Sequence, residues 1–408
     1  MQFISALAVA GVVLTVLFLV VVVTSVDEPI SSSEVYAEWT MLNYTWDAEH
    51  TYSNYSQTGK FIPQNCAMAG INVDKTGDIY VTVPRWRQGV PATLNKLHQV
   101  GDSNEFTLTP YPSWDMQVEG QDGDLQSCQS MTIDSKGRMW VIETGRRNFL
   151  SPLPSQYVDG AAGVWIIDLA TDTVLSKYYF PPEVASYNTS FVNDIVLDES
   201  RDIAYLTDAG GNGGIIVYNH QEGTSRRYTG ASTMNDPSYV MIIDGVNYGN
   251  DIFTTPSDGI AITDDNEALF YSAVQGTTLY RLPTAILRNF SSTTEEIDAA
   301  VQVIGTKSPS DGMKYLDGVL YWGDLPNSCY HSLPITATSF PDTAAATSVA
   351  SDPETLRWVD TFALDLQTPS QLWFVTNRLD LYITYTMDFT GAQGANFRIN
   401  LITDLPSP

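Results

Sequence analysis

The chain has 408 residues, a formal net charge of −27, and only three cysteines. So large an acidic excess excludes nucleic acid and anionic lipid surfaces as partners, because both require a basic patch; it favours attraction of cations. Three cysteines allow at most one intramolecular bridge, which excludes a disulfide-stapled scaffold.

Residues 4–26 carry no charge, and the first basic side chain is Lys60. An apolar run close to the ~20 residues that cross a bilayer reads as a signal peptide or a signal anchor over residues 1–26. Either reading places residues 27–408 outside the cytosol, with the membrane as a partner only if the leader is retained. Four glycosylation sequons begin at Asn43, Asn54, Asn188 and Asn289.

From residue 71 onward one phrase returns six times: a hydrophobic strand ending in Asp, a turn, and a second hydrophobic strand. The copies occupy residues 71–83, 131–142, 195–208, 260–272, 313–324 and 362–377. Their anchoring carboxylates are Asp74, Asp134, Asp198, Asp264, Asp317 and Asp365. The spacing is roughly 50–65 residues, and the segments alternate with period 2 rather than 3.6, so the repeat is a small sheet and not a helical hairpin. Further strand pairs follow within the repeats, at residues 163–168 and 174–180, then at 214–218 and 224–228. The arithmetic predicts an all-β, six-bladed β-propeller with four-stranded blades, a single domain over residues 27–408 preceded by an apolar leader helix. Residues 35–46 are strand-like and are expected to pair with residues 396–402, closing the ring and hiding its edges.

Laying the repeats on one another aligns Ala69, Gln129, Asn193, Asp258, Asp311 and Asp360 just before the innermost strands, at one mouth of the central channel. The second strands return toward that mouth and deliver Trp86, Glu143, Asp208, Asp324 and Asn377. Carboxylates facing one cavity repel unless a cation lies between them or protons are taken up. Asn193, Asp258 and Asp311 are therefore candidate ligands for a hard metal such as Ca²⁺, or contacts for an organic ammonium. Asp or Asn before a strand is also an ordinary turn residue, and Gly259 and Gly312 suit a turn. Cys66 and Cys128 precede the first two repeats, which leaves a bridge between neighbouring blades and three buried thiols as equal alternatives. The four histidines lack positioned partners in sequence, and neither a Gly-x-Ser-x-Gly elbow nor a His-Glu-x-x-His helix occurs, so no catalytic residue is assigned.

Several blocks resemble the Yellow/major royal jelly protein family. They are Val83-Pro84-Arg85-Trp86-Arg87, Pro110-Tyr111-Pro112-Ser113-Trp114, residues 137–145 with Glu143 where the family usually has Asp, residues 256–261, Trp373 to Arg378, and Asn396 to Ile399. The resemblance implies a secreted propeller; family members include pigmentation-related proteins, nutritive proteins and salivary proteins that bind biogenic amines in the channel, and some are associated with dopachrome conversion. Thr361 and Asn377 match positions of ligand contact in the amine-binding relatives. Leu379 stands where an aromatic residue is expected, with Tyr330, Phe362 or Trp322 as possible replacements. Gluconolactonase-like propellers share the repeat phrase, as in residues 193–198, so a Ca²⁺-dependent hydrolase or a dopachrome-type isomerase is the alternative. The main expectation is a small, cationic, amine-type ligand contacting Asn193, Asp258, Asp311, Asp360, Thr361 and Asn377.

Overall fold

The computed structural model describes residues 33–158, 162–335, 343–403 and 405; the predicted leader over residues 1–26 lies outside them. Six four-stranded antiparallel sheets follow one another along the chain. Their innermost strands are Ile71–Val73, Cys128–Ile133, Val192–Asp198, Ser257–Ile262, Met313–Leu316 and Trp358–Leu364. Each packs against the innermost strand of the next sheet, and the sixth packs against the first, so the array is a closed six-bladed propeller.

Closure follows the sequence expectation. Strand Glu34–Trp39 pairs antiparallel with Phe397–Ile402, with Trp39 opposite Phe397 and Glu34 opposite Leu401. The N-terminal strand thus becomes the outer strand of the sixth blade, beside the first. Its indole also donates to the Phe106 carbonyl of the first blade at 2.8 Å.

The repeated Asp has a local cause. Asp74 accepts the amides of Thr76 and Asp78 at 2.7 and 3.0 Å, and Asp134 accepts those of Lys136 and Arg138 at 3.0 and 2.9 Å. These bonds close the turn between the two inner strands, the usual work of an Asx turn. Asp198 and Asp365 do the same for Arg201 and for Gln367 and Thr368. The fourth and fifth copies depart from the pattern. Thr263 takes the capping place in the fourth blade, while Asp264 accepts the Gly318 amide of the next blade at 3.1 Å. Asp317 and Gly318 form a two-residue hairpin with φ of 48° and 79°, which only residues tolerant of the left-handed region accommodate.

The bridge considered between Cys66 and Cys128 is not formed; all three cysteines are free and buried. Cys66 packs in the cluster around Tyr44 and Trp86, whereas Cys128 packs with Met131 and Trp165 inside the second blade. Burial pushes the Cys66 thiol up to about 12, so it stays protonated. Among the described residues no helix is long and apolar enough to cross a membrane. All four sequon asparagines are exposed.

Trp39 is 8% exposed and ties the sixth blade to the first. Trp39→Ala is expected to lower unfolding stability by about 3–5 kcal/mol, read from a shifted denaturation midpoint. In the same protein, thiol titration should find no reactive cysteine while native and three after denaturation.

Candidate functional site

The innermost strands do not run straight to the channel mouth. In the second, third, fourth and sixth blades two consecutive residues oppose one residue of the partner strand: Gln129-Ser130, Asn193-Asp194, Asp258-Gly259 and Asp360-Thr361. Such a bulge bends the strand and re-aims its side chains. Neighbouring blades meet closely at these bulges. A Cβ on Gly259 would lie 2.2 Å from the Asp311 carbonyl oxygen, and one on Gly312 would lie 2.1 Å from that of Asp360. The Gly312 amide donates to the Asp360 carbonyl at 2.8 Å. The Asp-Gly pairs are therefore close backbone approaches between blades rather than turns, and only glycine fits.

The bulges bring their side chains into one cavity of about 380 Å³. Gln129, Asn193, Asp258, Asp311, Asp360 and Thr361 line it, as the sequence predicts, together with Asp194. Ala69, the small member of the ring, does not. Asn193 Nδ2 donates to Asp258 Oδ1, and the Asp258 and Asp311 carboxyls share a hydrogen bond. Trp358 Nε1 donates to Asp311 Oδ2 at 2.7 Å, and Thr361 Oγ1 to Asp360 Oδ1 at 3.2 Å. An arc of amide and acid groups thus follows the channel wall.

Asn377 stands one layer back. It donates to Asp360 Oδ2 at 2.8 Å and to the Met68 carbonyl at 3.0 Å, and the cavity wall does not include it. Its expected contact with ligand is corrected to a hold on Asp360. Glu143 and Asp208 likewise face away, because both cap backbone amides at blade ends. Glu143 accepts those of Gln126, Ser127 and Gly145, and Asp208 those of Phe191 and Gly210. Trp86 does line the cavity, and its indole donates to Gln129 Oε1 at 3.0 Å.

The aromatic replacements proposed for the Leu379 position are absent from the wall: Tyr330 and Phe362 pack in the cluster around Phe374, and Trp322 packs in that around Phe270. The rings that do line the cavity are Trp86, Phe149, Phe191, Phe253 and Trp358. Phe149 and Phe191 lie 4.4 Å apart between centroids, and Phe253 and Trp358 5.6 Å. Phe191 and Phe253 sit on loops between blades and Phe149 on the loop joining two strands of the second blade, where no periodic pattern marks them. Asp194 was missed for another reason: in an unbulged strand it would point away from its neighbour Asn193.

Electrostatics follow from burial. Asp258 and Asp360 are held well above the ordinary carboxylate range, first by burial and then by the charge of Asp311. Asp311 is raised by burial, against the pull of the Trp358 indole. Burial pushes Asp194 up to about 7, although bonds from the Ile195 amide and the Ser130 hydroxyl oppose the rise. Lys314, which lines a separate cavity of about 120 Å³ on the far side of the channel, lowers it only in part. None of the four carboxylates has an ion-pair partner among the described residues. Lys307 lies behind Asp311, bonded to the Ser308 carbonyl at 3.0 Å and the Ser310 hydroxyl at 2.6 Å, and burial brings its ammonium down to about 7.

A closed six-bladed propeller with an acid- and amide-lined cavity at one mouth of its channel defines the structural class. Within that class the chain belongs to the major royal jelly protein family, whose model matches residues 126–404. It is 26% identical to Protein yellow of Drosophila subobscura over 413 residues, covering 95% of this chain and 68% of that protein. It is 25% identical to Major royal jelly protein 5 of Apis mellifera, covering 73% of this chain and 49% of that protein. The chain thus spans about two thirds of the first relative and about half of the second. Among solved structures, a gluconolactonase candidate superposes with a TM-score of 0.50 at 10% identity, over 92% of this chain and 93% of its own; what the two share is the fold.

Raised carboxyl values give a definite pH dependence. The folded protein binds more protons than the unfolded chain above the ordinary aspartate value, so this contribution to stability is full in acid and is lost as pH rises toward 7. Asp258→Asn keeps an acceptor for Asn193 and gains a donor for Asp311. Without ligand it should raise stability at about pH 7 by on the order of 1–3 kcal/mol, with the gain vanishing near pH 4. Thermal unfolding at the two pH values checks the sign.

Proposed function

We propose that this protein binds a small organic cation, an amine with an apolar body, in the channel mouth. The observation that carries the reading is four carboxylates, buried Asp258, Asp311 and Asp360 and half-buried Asp194, on one wall of a cavity whose other lining includes five aromatic rings and aliphatic side chains, with Arg146 the cationic group at its wall and not bonded to any of the four. A bound ammonium would replace the missing counter-charge, and a ring face of Trp86 or Trp358 would add cation–π attraction worth about 1–2 kcal/mol where desolvated. The apolar body would lie against Phe149, Phe191 and Phe253. Exposed sequons and the uncharged leader support secretion of the folded chain, with glycans at Asn43, Asn54, Asn188 and Asn289.

A second reading rests on the contact arc Asn193–Asp258–Asp311. Its oxygen donors match a hard divalent ion such as Ca²⁺ in kind, provided Asn193 turns its amide oxygen inward in place of the nitrogen that now faces Asp258. A metal held there would supply Lewis-acid polarisation for a lactonase-like hydrolysis or an isomerisation. Asp258 and Asp311, sharing one hydrogen bond, would be the groups that exchange a proton with substrate.

Isothermal titration with a panel of aromatic amines and their uncharged isosteres separates these readings. The first expects saturable binding of an amine at about pH 6, proton release seen as a buffer-dependent enthalpy, and at least about a tenfold loss, 1.4 kcal/mol, in Asp311→Asn. Absence of heat with every amine, together with tight Ca²⁺ binding and Ca²⁺-dependent lactone turnover lost in Asp258→Asn, would transfer the assignment to the second.

A further inference from the structure

The fifth blade carries a second cluster, outside the cavity wall, that the channel site does not use. Strands Val319–Asp324 and Cys329–Pro334 form a hairpin in which Asp324 pairs directly with Cys329 and Trp322 with His331. Residues two apart on a strand share a face, and directly opposed residues are close neighbours across the hairpin. The spacing Asp-x4-Cys-x-His therefore puts a carboxylate, a thiol and an imidazole on one side of the hairpin. Their donor atoms lie within 4.8 Å of one another, with His331 Nε2 2.8 Å from Asp324 Oδ2 and 4.0 Å from Cys329 Sγ.

We infer that Asp324, Cys329 and His331 form a site for a borderline divalent metal of the Zn²⁺ class. Tetrahedral ligands at about 2.0–2.3 Å from such an ion stand about 3.3–3.7 Å apart, and the present separations bracket that range. The groups need to move by less than about 1 Å to accept the ion. Thiolate and imidazole donors select zinc-like over hard ions such as Ca²⁺. One thiolate and one carboxylate balance the two positive charges, and His331 binds as neutral imidazole. On binding, the metal–sulfur bond forms as the Cys329 thiol proton leaves to solvent.

The surroundings suit the role. Asn327 fixes Asp324, donating its amide N–H to Oδ1 at 3.0 Å and its side-chain nitrogen to both oxygens at 3.1 and 2.9 Å. Trp322 stacks on His331 at 5.2 Å and 28°, which sets the ring plane. Without an ion His331 Nε2–H donates to Asp324 Oδ2, and Nδ1 has no hydrogen-bond partner, so Nδ1 is open to the proton that an ion at Nε2 displaces. Moving that proton to Nδ1 leaves the Nε2 lone pair aimed between Oδ2 and Sγ. Asp324 and Cys329 are nearly inaccessible, while His331 is 16% exposed and gives the ion an entry from solvent. Three protein ligands leave one position open to water or an exogenous ligand.

Co²⁺ is the direct probe, because tetrahedral thiolate ligation gives intense visible bands and a near-ultraviolet sulfur-to-cobalt transition. Titration of the purified full chain should saturate at one equivalent with both features, and Zn²⁺ should displace the Co²⁺. Cys329→Ser should lose the near-ultraviolet band and bind at least about tenfold more weakly, whereas Asp258→Asn should titrate as the parent does. Should Cys329→Ser fail to fold, His331→Gln provides the same decision: it should keep a sulfur-to-cobalt band but bind Co²⁺ at least about tenfold more weakly. No saturable spectrum in folded parent protein, or an unchanged titration in Cys329→Ser or His331→Gln, would overturn the assignment.

Discussion

Four carboxylates are crowded onto one wall of the channel mouth with no positive side chain bonded to any of them, and the form of the mouth follows from that crowding. Burial and mutual repulsion both oppose ionisation there. The arrangement persists because each acid is held by a neutral donor: Asn193 on Asp258, Trp358 on Asp311, Asn377 and Thr361 on Asp360, Ser130 on Asp194. These donors are indifferent to the charge of what enters the cavity. Under the proposed reading the component that completes the site is a cation, supplied by a ligand or replaced by protons.

The backbone makes this crowding possible. Bulges in the inner strands project adjacent residues into the channel, and glycine at positions 259 and 312 lets one blade's carbonyl approach the next blade to within what a Cβ would forbid. The ring has to stay shut for those approaches to survive. Closure by strand Glu34–Trp39 against Phe397–Ile402 therefore bears on the site, although it lies at the outer edge of the molecule. Asp360 belongs to the blade that the seam completes.

The fold and most of the acid ring were legible because both depend on register. A period-2 pattern repeated six times leaves few other closed architectures, and superposing the Asp anchors put Asn193, Asp258, Asp311 and Asp360 at one level. What register alone does not carry was misread. The Asp-Gly pairs resemble turns in sequence, yet Gly259 and Gly312 are contact points between blades. Asp194 was hidden by the bulge, since ordinary alternation sends it to the other face. Asn377 was placed on the wall by analogy with relatives, but it acts through Asp360. Phe149, Phe191 and Phe253 come from loops, whose reach over the channel no local pattern encodes. The Asp324–Cys329–His331 group became visible only when hairpin pairing set Cys329 opposite Asp324.

The central claim is that the channel mouth holds unneutralised acid groups that stay protonated near neutrality until a cation arrives. Carbon-13 NMR titration of the aspartate side-chain carboxyls in ligand-free protein reads this residue by residue. The account predicts a subset titrating near or above neutral pH, lost selectively in Asp258→Asn and Asp360→Asn, and shifted downward when a cation binds. If every aspartate were to titrate in the ordinary acidic range, the mouth would already be neutralised by other means, and a cation-seeking cavity would be contradicted.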